Sequence, residues 1–161
     1  MPMNSLEDVF QHGLGDIYDA EQKLLSALDQ MEQETQIDEV RERIRQHRSE
    51  TQDHIRNLEQ CFDLLGMQKP NVECATVRGL QQEKSDFERM SPSPQAREVF
   101  NLDAADKSEH YEIAAYRALI DQARVLGNDD VRDLLEQNLR QEEAMSQWIQ
   151  DHQPRILREM L

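Results

Sequence analysis

Apolar residues recur three or four positions apart along four long segments of the chain, and this spacing restricts the possible folds more than any other feature. Side chains that far apart share one face of an α-helix. In the first segment the pattern begins after Ser5, where Ser-Leu-Glu-Asp is typical of a capping box, and it extends to about residue 33. The apolar face of this predicted helix contains Leu6, Phe10, Leu14, Ile17, Leu24, Leu28 and Met31.

The second helix and the connection after it are marked by start and stop signals. Thr35 to Asp38 offers a capping signal, and Gly66 ends the helix that follows. Residues 67–93 are too many for a plain loop, so we expect a short helix that crosses between two hairpins. The apolar residues that predict it are Val77, Leu80, Phe87 and Met90.

The last two helices have signals of the same kind. Ser93-Pro94 is typical of an N-cap followed by proline in the first turn, and the helix that begins there runs to Leu126, with Gly127 as its stop signal. Residues 128–130, Asn-Asp-Asp, then cap a final helix that reaches about residue 150. Pro154 is predicted to end the regular structure, because proline breaks a helix interior. For the tail at residues 151–161, the sequence predicts no defined structure.

Short loops join the first helix to the second and the fourth to the fifth, so each pair should form an antiparallel hairpin. Two hairpins joined by one long crossover predict an all-α four-helix bundle, with residues 1–161 as a single domain. The composition agrees, since 37% of the residues are hydrophobic and 32% are charged. Such a chain has narrow apolar faces and highly solvated outer faces.

The formal net charge of -15 restricts the function. It argues against nucleic acid and anionic membranes as partners, and it favours the attraction of cations. No apolar run approaches the roughly 20 residues of a membrane span, and the N-terminus lacks the pattern of a secretion signal. Cys61 and Cys74 lack the spacing of a zinc site. We therefore expect free thiols and a cytoplasmic protein.

The stretch HRSETQDH, residues 47–54, places polar side chains where the second helix should contribute to the core. At about 100° per residue, His47, Thr51 and His54 fall on or beside the apolar face, and Glu50 lies at its edge. The other long helices show the same irregularity. Carboxylates lie within their apolar faces at Glu21, Glu109, Glu112 and Glu142, whereas Glu143 lies off to the side.

Carboxylates that converge in a core repel one another unless cations lie among them. Carboxylate oxygens together with imidazole suit iron, manganese or zinc. The alternative is that each acid is a helix-edge residue that reaches solvent, and that the histidines are hydrogen-bonded within the core. The pattern alone does not choose between these interpretations.

Several segments carry a resemblance to a known family. LEDVFQHGLGDIYDAEQKLLSAL, ECATVRGLQQE, HRSETQDHIRNLEQCFDLLG and SEHYEIAAYRALIDQARVLG resemble the YciE/YciF-type ferritin-like proteins of bacteria, over roughly residues 4–150. The resemblance implies a ferritin-like bundle, a carboxylate centre for two divalent metal ions, preferably iron, and a link to stress responses. The implied metal ligands are Glu21, Glu50, His54, Glu109, Glu112 and Glu142, with His47 orienting them from behind. Glu83 also matches an acid of the family.

The chain departs from the expected pattern in two places. Dimetal bundles carry Glu-x-x-His on two helices, but here Glu50 and His54 are four residues apart and the fourth helix has Glu-x-x-Glu. Ser146 stands where many relatives carry an aspartate, which would leave one metal with a weak or open position.

Two functions follow from these observations. The first is a stress-associated dimetal protein that oxidises Fe(II) or handles small oxidants. Glu109 or Glu112 would bridge the metals, and Glu21 and Glu142 would be terminal ligands. Tyr18 and Tyr116 would be hydrogen-bond or redox neighbours, or packing residues. The second is a metal-poor helical stress protein that acts by self-association. A homodimer is expected in either case.

Overall fold

The computed structural model describes residues 2–161. These residues contain five α-helices and no strand. Four of the helices are long and one is short, as the spacing predicts. Their bounds are α1 Leu6–Glu34, α2 Asp38–Leu64, α3 Ala75–Glu88, α4 Pro94–Val125 and α5 Asp129–Glu159.

The long helices form a bundle in which each packs against two neighbours. α1 packs on α2 and α4, and α5 packs on α4 and α2. The end of α1 meets the start of α4, where the Thr35 hydroxyl donates to the Glu98 carboxylate. Neighbouring helices are therefore antiparallel. α3 packs against both α1 and α4, and it lies within the crossover that joins the two hairpins.

Most of the predicted helix boundaries are confirmed. Ser5 forms a reciprocal capping box with Asp8, and Ser93 caps α4 ahead of Pro94. The capping signal before α2 is wrong, since the N-cap is Ile37, which makes no side-chain hydrogen bond. The Thr35 hydroxyl accepts from the Ile37 N–H and donates to Glu98 on α4, and Glu98 also accepts from the Gln36 N–H. A tertiary contact therefore takes part in capping α2.

The predicted end of the last helix is also wrong. α5 continues past Pro154 to Glu159. The proline has no N–H, and an interior proline costs about 3 kcal/mol or more. Two contacts beyond it offset this cost. Ile156 is buried in the core, which is worth about 1.5–3 kcal/mol, and Arg155 pairs with Glu39 at the start of α2.

The core has two apolar parts with a polar layer between them. One part lies towards the end of the bundle where α1 begins, and it includes Phe10, Leu14, Leu58, Phe62 and Leu135. The other lies towards the opposite end. It consists of Leu28, Val40, Ile44, Leu102 and Ile156, with partly buried neighbours. The polar layer falls at mid-length of all four long helices.

None of the helices among residues 2–161 combines the length and the apolar character needed to cross a bilayer.

Candidate metal centre

The polar layer consists of four glutamates and two histidines that are almost completely withdrawn from solvent. Each of the four long helices contributes at least one of them, because each interrupts its apolar face at the same level of the bundle. The six residues are Glu21 on α1, His47 and His54 on α2, Glu109 and Glu112 on α4, and Glu142 on α5, and none is more than 3% exposed.

These side chains form two groups that share one residue. His47, Glu109, Glu112 and Glu142 can each offer one ligand atom with all of these atoms within 4.8 Å of one another, and Glu21, His54 and Glu142 form a second group by the same measure. Two groups that share a carboxylate have the composition of a bridged two-metal site. The shared residue lies on α5, whereas the sequence analysis looked for a bridge on α4.

The inner nitrogen of each histidine points at carboxylates. His47 Nε2 lies 3.0 Å from Glu109 Oε1 and 3.2 Å from Glu142 Oε2. His54 Nδ1 lies 2.9 Å from Glu142 Oε1 and 3.3 Å from Glu21 Oε1. Each ring therefore stands between two acids, and the two rings address opposite oxygens of Glu142.

The outer nitrogen of each histidine is held by another side chain. His47 Nδ1 lies 2.8 Å from Glu50 Oε2, and because a carboxylate only accepts, the ring nitrogen donates. His54 Nε2 lies 2.7 Å from Gln141 Oε1 and donates in the same way. Orientation of a histidine through its other nitrogen is the usual arrangement around a metal ion. In the neutral rings, the lone pairs then face the carboxylates.

The structure exchanges the positions that the sequence analysis gave to two residues of α2. Glu50 was placed among the ligands and His47 behind them. In the structure Glu50 is half-buried behind the ring of His47, and Arg43 Nη1 lies 3.6 Å from its carboxylate. His47 is the residue that reaches the carboxylates. Both side chains lie on one ridge of the helix, but the imidazole occupies the centre of the bundle.

A hydrogen-bonded network closes the group formed by Glu21 and His54. Tyr116 is completely buried, and its hydroxyl donates to Glu21. Asn138 donates to the Tyr116 hydroxyl at 3.1 Å and to the His54 carbonyl at 3.3 Å, and it accepts from Asn57. Tyr116 was expected near the metals from the sequence, whereas Asn138 was not. Its signal was a polar residue one turn before Glu142 on the apolar face of α5.

Burial and charge act in opposite directions on the histidines. Burial lowers the pKa of His47, but the charge of Glu109 outweighs it and raises this pKa well above its usual value. Burial also lowers the pKa of His54, but the charge of Glu21 and contact with Glu142 raise it to about 10. Without a cation, both rings therefore hold protons at neutral pH and compensate the acids.

The acids respond differently according to their neighbours. Burial and the charge of Glu142 raise the pKa values of Glu109 and Glu112 well above the usual value. Burial also acts to raise the pKa of Glu142, but its contacts with His47 and His54 outweigh this and hold it well below the usual value. Of these three acids, the shared carboxylate is therefore the one that keeps its negative charge.

Several atoms of the cluster lack a hydrogen-bond partner among residues 2–161, although they lie close together. They converge without the alignment of hydrogen bonds. Glu109 Oε2 and Glu112 Oε1 have no histidine beside them either, and a buried oxygen without a partner costs about 1–3 kcal/mol. Oxygen and imidazole ligands suit a divalent cation. The residues therefore fit a metal centre. The atoms are Glu21 Oε2, His54 Nδ1, Glu109 Oε2, Glu112 Oε1 and both carboxylate oxygens of Glu142.

Other residues singled out in the sequence lie apart from this cluster. Ser146 is buried and accepts a hydrogen bond from Gln150. Glu83 is exposed on α3, 3.6 Å from Lys107, and Glu143 pairs with Arg117 near the surface. Gln141 had no signal in the sequence, because a surface glutamine beside Glu142 has nothing to distinguish it.

The fold and the buried cluster define a class, namely helical-bundle proteins with a carboxylate and histidine layer in the core. A family model described as a domain of unknown function, DUF892, matches residues 5–161. The chain is also 32% identical to protein YciF of Escherichia coli K12 over 145 residues, which is 89% of this chain and 87% of YciF. The chain belongs to this YciF-like family, so the resemblance stated from the sequence is confirmed.

Solved structures agree with the family. The crystal structure of the E. coli stress protein YciF matches with a TM-score of 0.85 at 30% identity, covering 92% of this chain and 94% of that one. YcfI of Rhodopseudomonas palustris, described as a candidate structural protein, matches with a TM-score of 0.86 at 33% identity, covering 91% of this chain and 94% of that one. The two relatives carry different functional descriptions.

Proposed function

We propose that the protein is a ferritin-like dimetal protein of the bacterial stress response, with iron at the buried cluster. The observation that carries this proposal is the pair of ligand groups joined through Glu142. One metal would be held by His47, Glu109 and Glu112, and the other by Glu21 and His54, with Glu142 bridging. Glu50 and Gln141 would orient the histidines, as their hydrogen bonds to the outer ring nitrogens suggest.

Bound iron would supply one-electron redox chemistry, which suits the oxidation of Fe(II) or the removal of small oxidants. The chain supplies the conditions for it. Residues from four helices bury the ligand side chains, and Glu142 keeps a negative charge that would offset the charge of two cations. The histidines would have to release their protons to hold a metal ion, because an imidazole must be neutral on the inner nitrogen to act as a ligand. The Tyr116 hydroxyl holds Glu21 in position.

Metal analysis of protein purified without chelator tests the proposal. We expect two metal ions per chain, and we expect added Fe(II) to be oxidised with consumption of dioxygen. Glu142→Ala should abolish binding of both metals. Glu143→Ala is the matched control, since it changes the next residue of the same helix at a partly exposed ion pair. Equal metal content in the two variants would contradict the proposal.

A specific observation also supports self-association. Large apolar side chains are exposed at the end of the bundle where α1 begins and α2 and α4 end. They are Leu6, Val9, Leu64 and Val125, the last being 76% exposed. Exposed apolar patches of this kind mark protein interfaces. We propose that two copies of the chain form a homodimer through this end. We also propose that the protein is cytoplasmic, since Cys61 and Cys74 are free and buried.

Sedimentation analysis tests the dimer. The double change Val9→Glu and Val125→Glu should give a monomer. Leu157→Glu is the control, because Leu157 is exposed at the opposite end of the bundle. If the protein binds no metal but these variants behave as expected, self-association becomes the better account of its function. A double variant that remains dimeric would exclude this end as the interface.

A further inference from the structure

A cavity of about 580 Å³ lies under α3 and reaches the buried cluster from one side. α3 packs against α1 and α4, and the cavity occupies the space that these three helices leave between them. Its walls are largely aliphatic. They include Leu24, Leu28, Met31, Val77, Leu80 and Ala105.

The inner end of the cavity is polar. His47, Thr51, Glu109 and Glu112 line it there, and all four are buried. Glu109 Oε2 and Glu112 Oε1 have no hydrogen-bond partner among residues 2–161. These oxygens can accept a hydrogen bond from a molecule that fills the cavity.

The outer end opens to solvent beside α3, where the exposed residues Gln81 and Arg89 line the cavity. Lys84 spans this opening, with its ammonium group 2.8 Å from Glu34 Oε2 and 2.9 Å from Asn101 Oδ1. The lysine thus ties α3 to both α1 and α4. Its charge is compensated by acids, so the opening offers no unpaired cation to attract an anionic ligand.

The shape and lining indicate the chemistry of a ligand. Small-molecule sites commonly have volumes of about 300–1,000 Å³, with apolar walls and a few polar groups that fix orientation. An aliphatic wall suits a hydrocarbon chain. The carboxyl oxygens at the inner end that have no hydrogen-bond partner suit a group that can both donate and accept a hydrogen bond. A hydroxyl meets both requirements, and its oxygen can also approach a metal ion.

We propose that this cavity binds a primary aliphatic alcohol, with the chain along α1, α3 and α4 and the hydroxyl at Glu109 and Glu112. The proposal that such alcohols are substrates of the metal centre rests on the proposed dimetal function. The binding itself needs no metal, because the hydroxyl can form hydrogen bonds directly with Glu109 and Glu112.

Calorimetric titration of hexanol, octanol and decanol into metal-free and Zn²⁺-loaded protein tests the proposal. Each buried methylene should lower the Kd by about threefold to fourfold, so octanol should bind about tenfold more tightly than hexanol. Octanoate should bind more weakly than octanol to the metal-free protein, because burying its charge in a largely aliphatic cavity costs free energy.

Two variants test the location. Ala104→Phe places a ring in the cavity and should weaken octanol binding at least tenfold. Ala114→Phe makes the same change at an exposed position of the same helix and should leave binding unchanged. Leu80→Ala enlarges the cavity from α3 and should shift the preference towards decanol. Melting curves of each variant establish that it is folded.

Affinities that do not depend on chain length, or equal affinities for Ala104→Phe and Ala114→Phe, would overturn the proposal and identify the cavity as a water-filled passage. Metal content of the same preparations separates this result from the proposed function. Two bound metals without alcohol binding leave the dimetal function standing and refute the ligand. Alcohol binding to a protein that takes up no metal supports the cavity site and refutes the dimetal function.

Discussion

The two halves of the buried cluster differ in access, although Glu142 belongs to both. His47, Glu109 and Glu112 line the cavity under α3. Among the described residues, Glu21 and His54 do not line it, and they are enclosed by the hydrogen bonds of Tyr116, Asn138 and Gln141.

The difference indicates that one half is built for exchange and the other for retention. Polar atoms that border a cavity can be reached by water, ions and small molecules, whereas a network of buried hydrogen bonds opens only when the surrounding helices separate. We therefore expect the half that contains Glu21 and His54 to hold its metal longer and to contribute more to stability.

The largest difference between the halves should appear when each histidine is removed. In the metal-free protein, His54→Ala leaves Glu21 buried without its cation and Glu142 with His47 alone, which should cost about 3–5 kcal/mol of unfolding free energy. His47→Ala should cost less, about 1–3 kcal/mol, because water can enter from the cavity. Chemical denaturation measures both.

His110→Ala is the control for these variants, since His110 is exposed on α4 and its loss should change stability by less than about 0.5 kcal/mol. Equal costs for His47→Ala and His54→Ala would mean that the two halves are equally closed.

The second difference concerns pH. The folded pKa of His54 is raised to about 10, above its unfolded value of about 6.5. Its protonated ring therefore stabilises the metal-free protein fully below about pH 6.5, and this contribution is lost as pH rises through 10. Metal binding displaces the proton, so the loaded protein lacks this contribution.

We expect the melting temperature of the metal-free protein to fall between pH 7 and pH 10, and that of the Zn²⁺-loaded protein to fall less. Metal affinity should rise with pH over the same range, because proton competition weakens. Calorimetry in buffers of different ionisation enthalpy would measure the released protons. If the melting temperature falls equally with pH in the metal-free and the Zn²⁺-loaded protein, His54 is not a ligand.

A smaller effect should follow from Tyr116→Phe. The change removes the hydroxyl that donates to Glu21 and accepts from Asn138, and it should cost about 1–2 kcal/mol. Tyr18→Phe is the matched control, because the Tyr18 hydroxyl donates to the partly exposed Glu59. Chelator competition should show faster loss of the more tightly held metal in the Tyr116 variant alone.

The smallest effect on stability should come from Lys84→Ala at the opening of the cavity. Ion pairs near the surface contribute less than about 1 kcal/mol, so the melting temperature should change little. Release of α3 should nevertheless speed metal exchange in the half that contains His47 and hydrogen exchange in α3.

Lys107→Ala tests whether that effect is specific, because Lys107 also bridges α4 to α3, through Glu83, but does not line the cavity. If both variants exchange metal at the rate of the unmodified protein, α3 does not control access.

The sequence predicted the helices better than it predicted the end of α5 or the placement of single side chains. The apolar spacing predicted the long helices and the crossover helix. Pro154 misled the prediction of the last helix, because Ile156 and Arg155 make contacts with distant residues that the local sequence does not contain. The structure brings His47 rather than Glu50 to the carboxylates. Helical spacing could not predict this, because it cannot tell which of two neighbours on a ridge faces the bundle axis.

The sequence by itself determined that four helices carry acids or histidines within their apolar faces, since a helical period of about 3.6 residues assigns each side chain to a face. Tertiary structure decided which atoms meet. Tyr116 and Glu21 are 95 residues apart in the chain, and His54 and Gln141 are 87 apart. Their contact depends on the rotation of each helix about its own axis and on the course of α3, and packing between helices sets both.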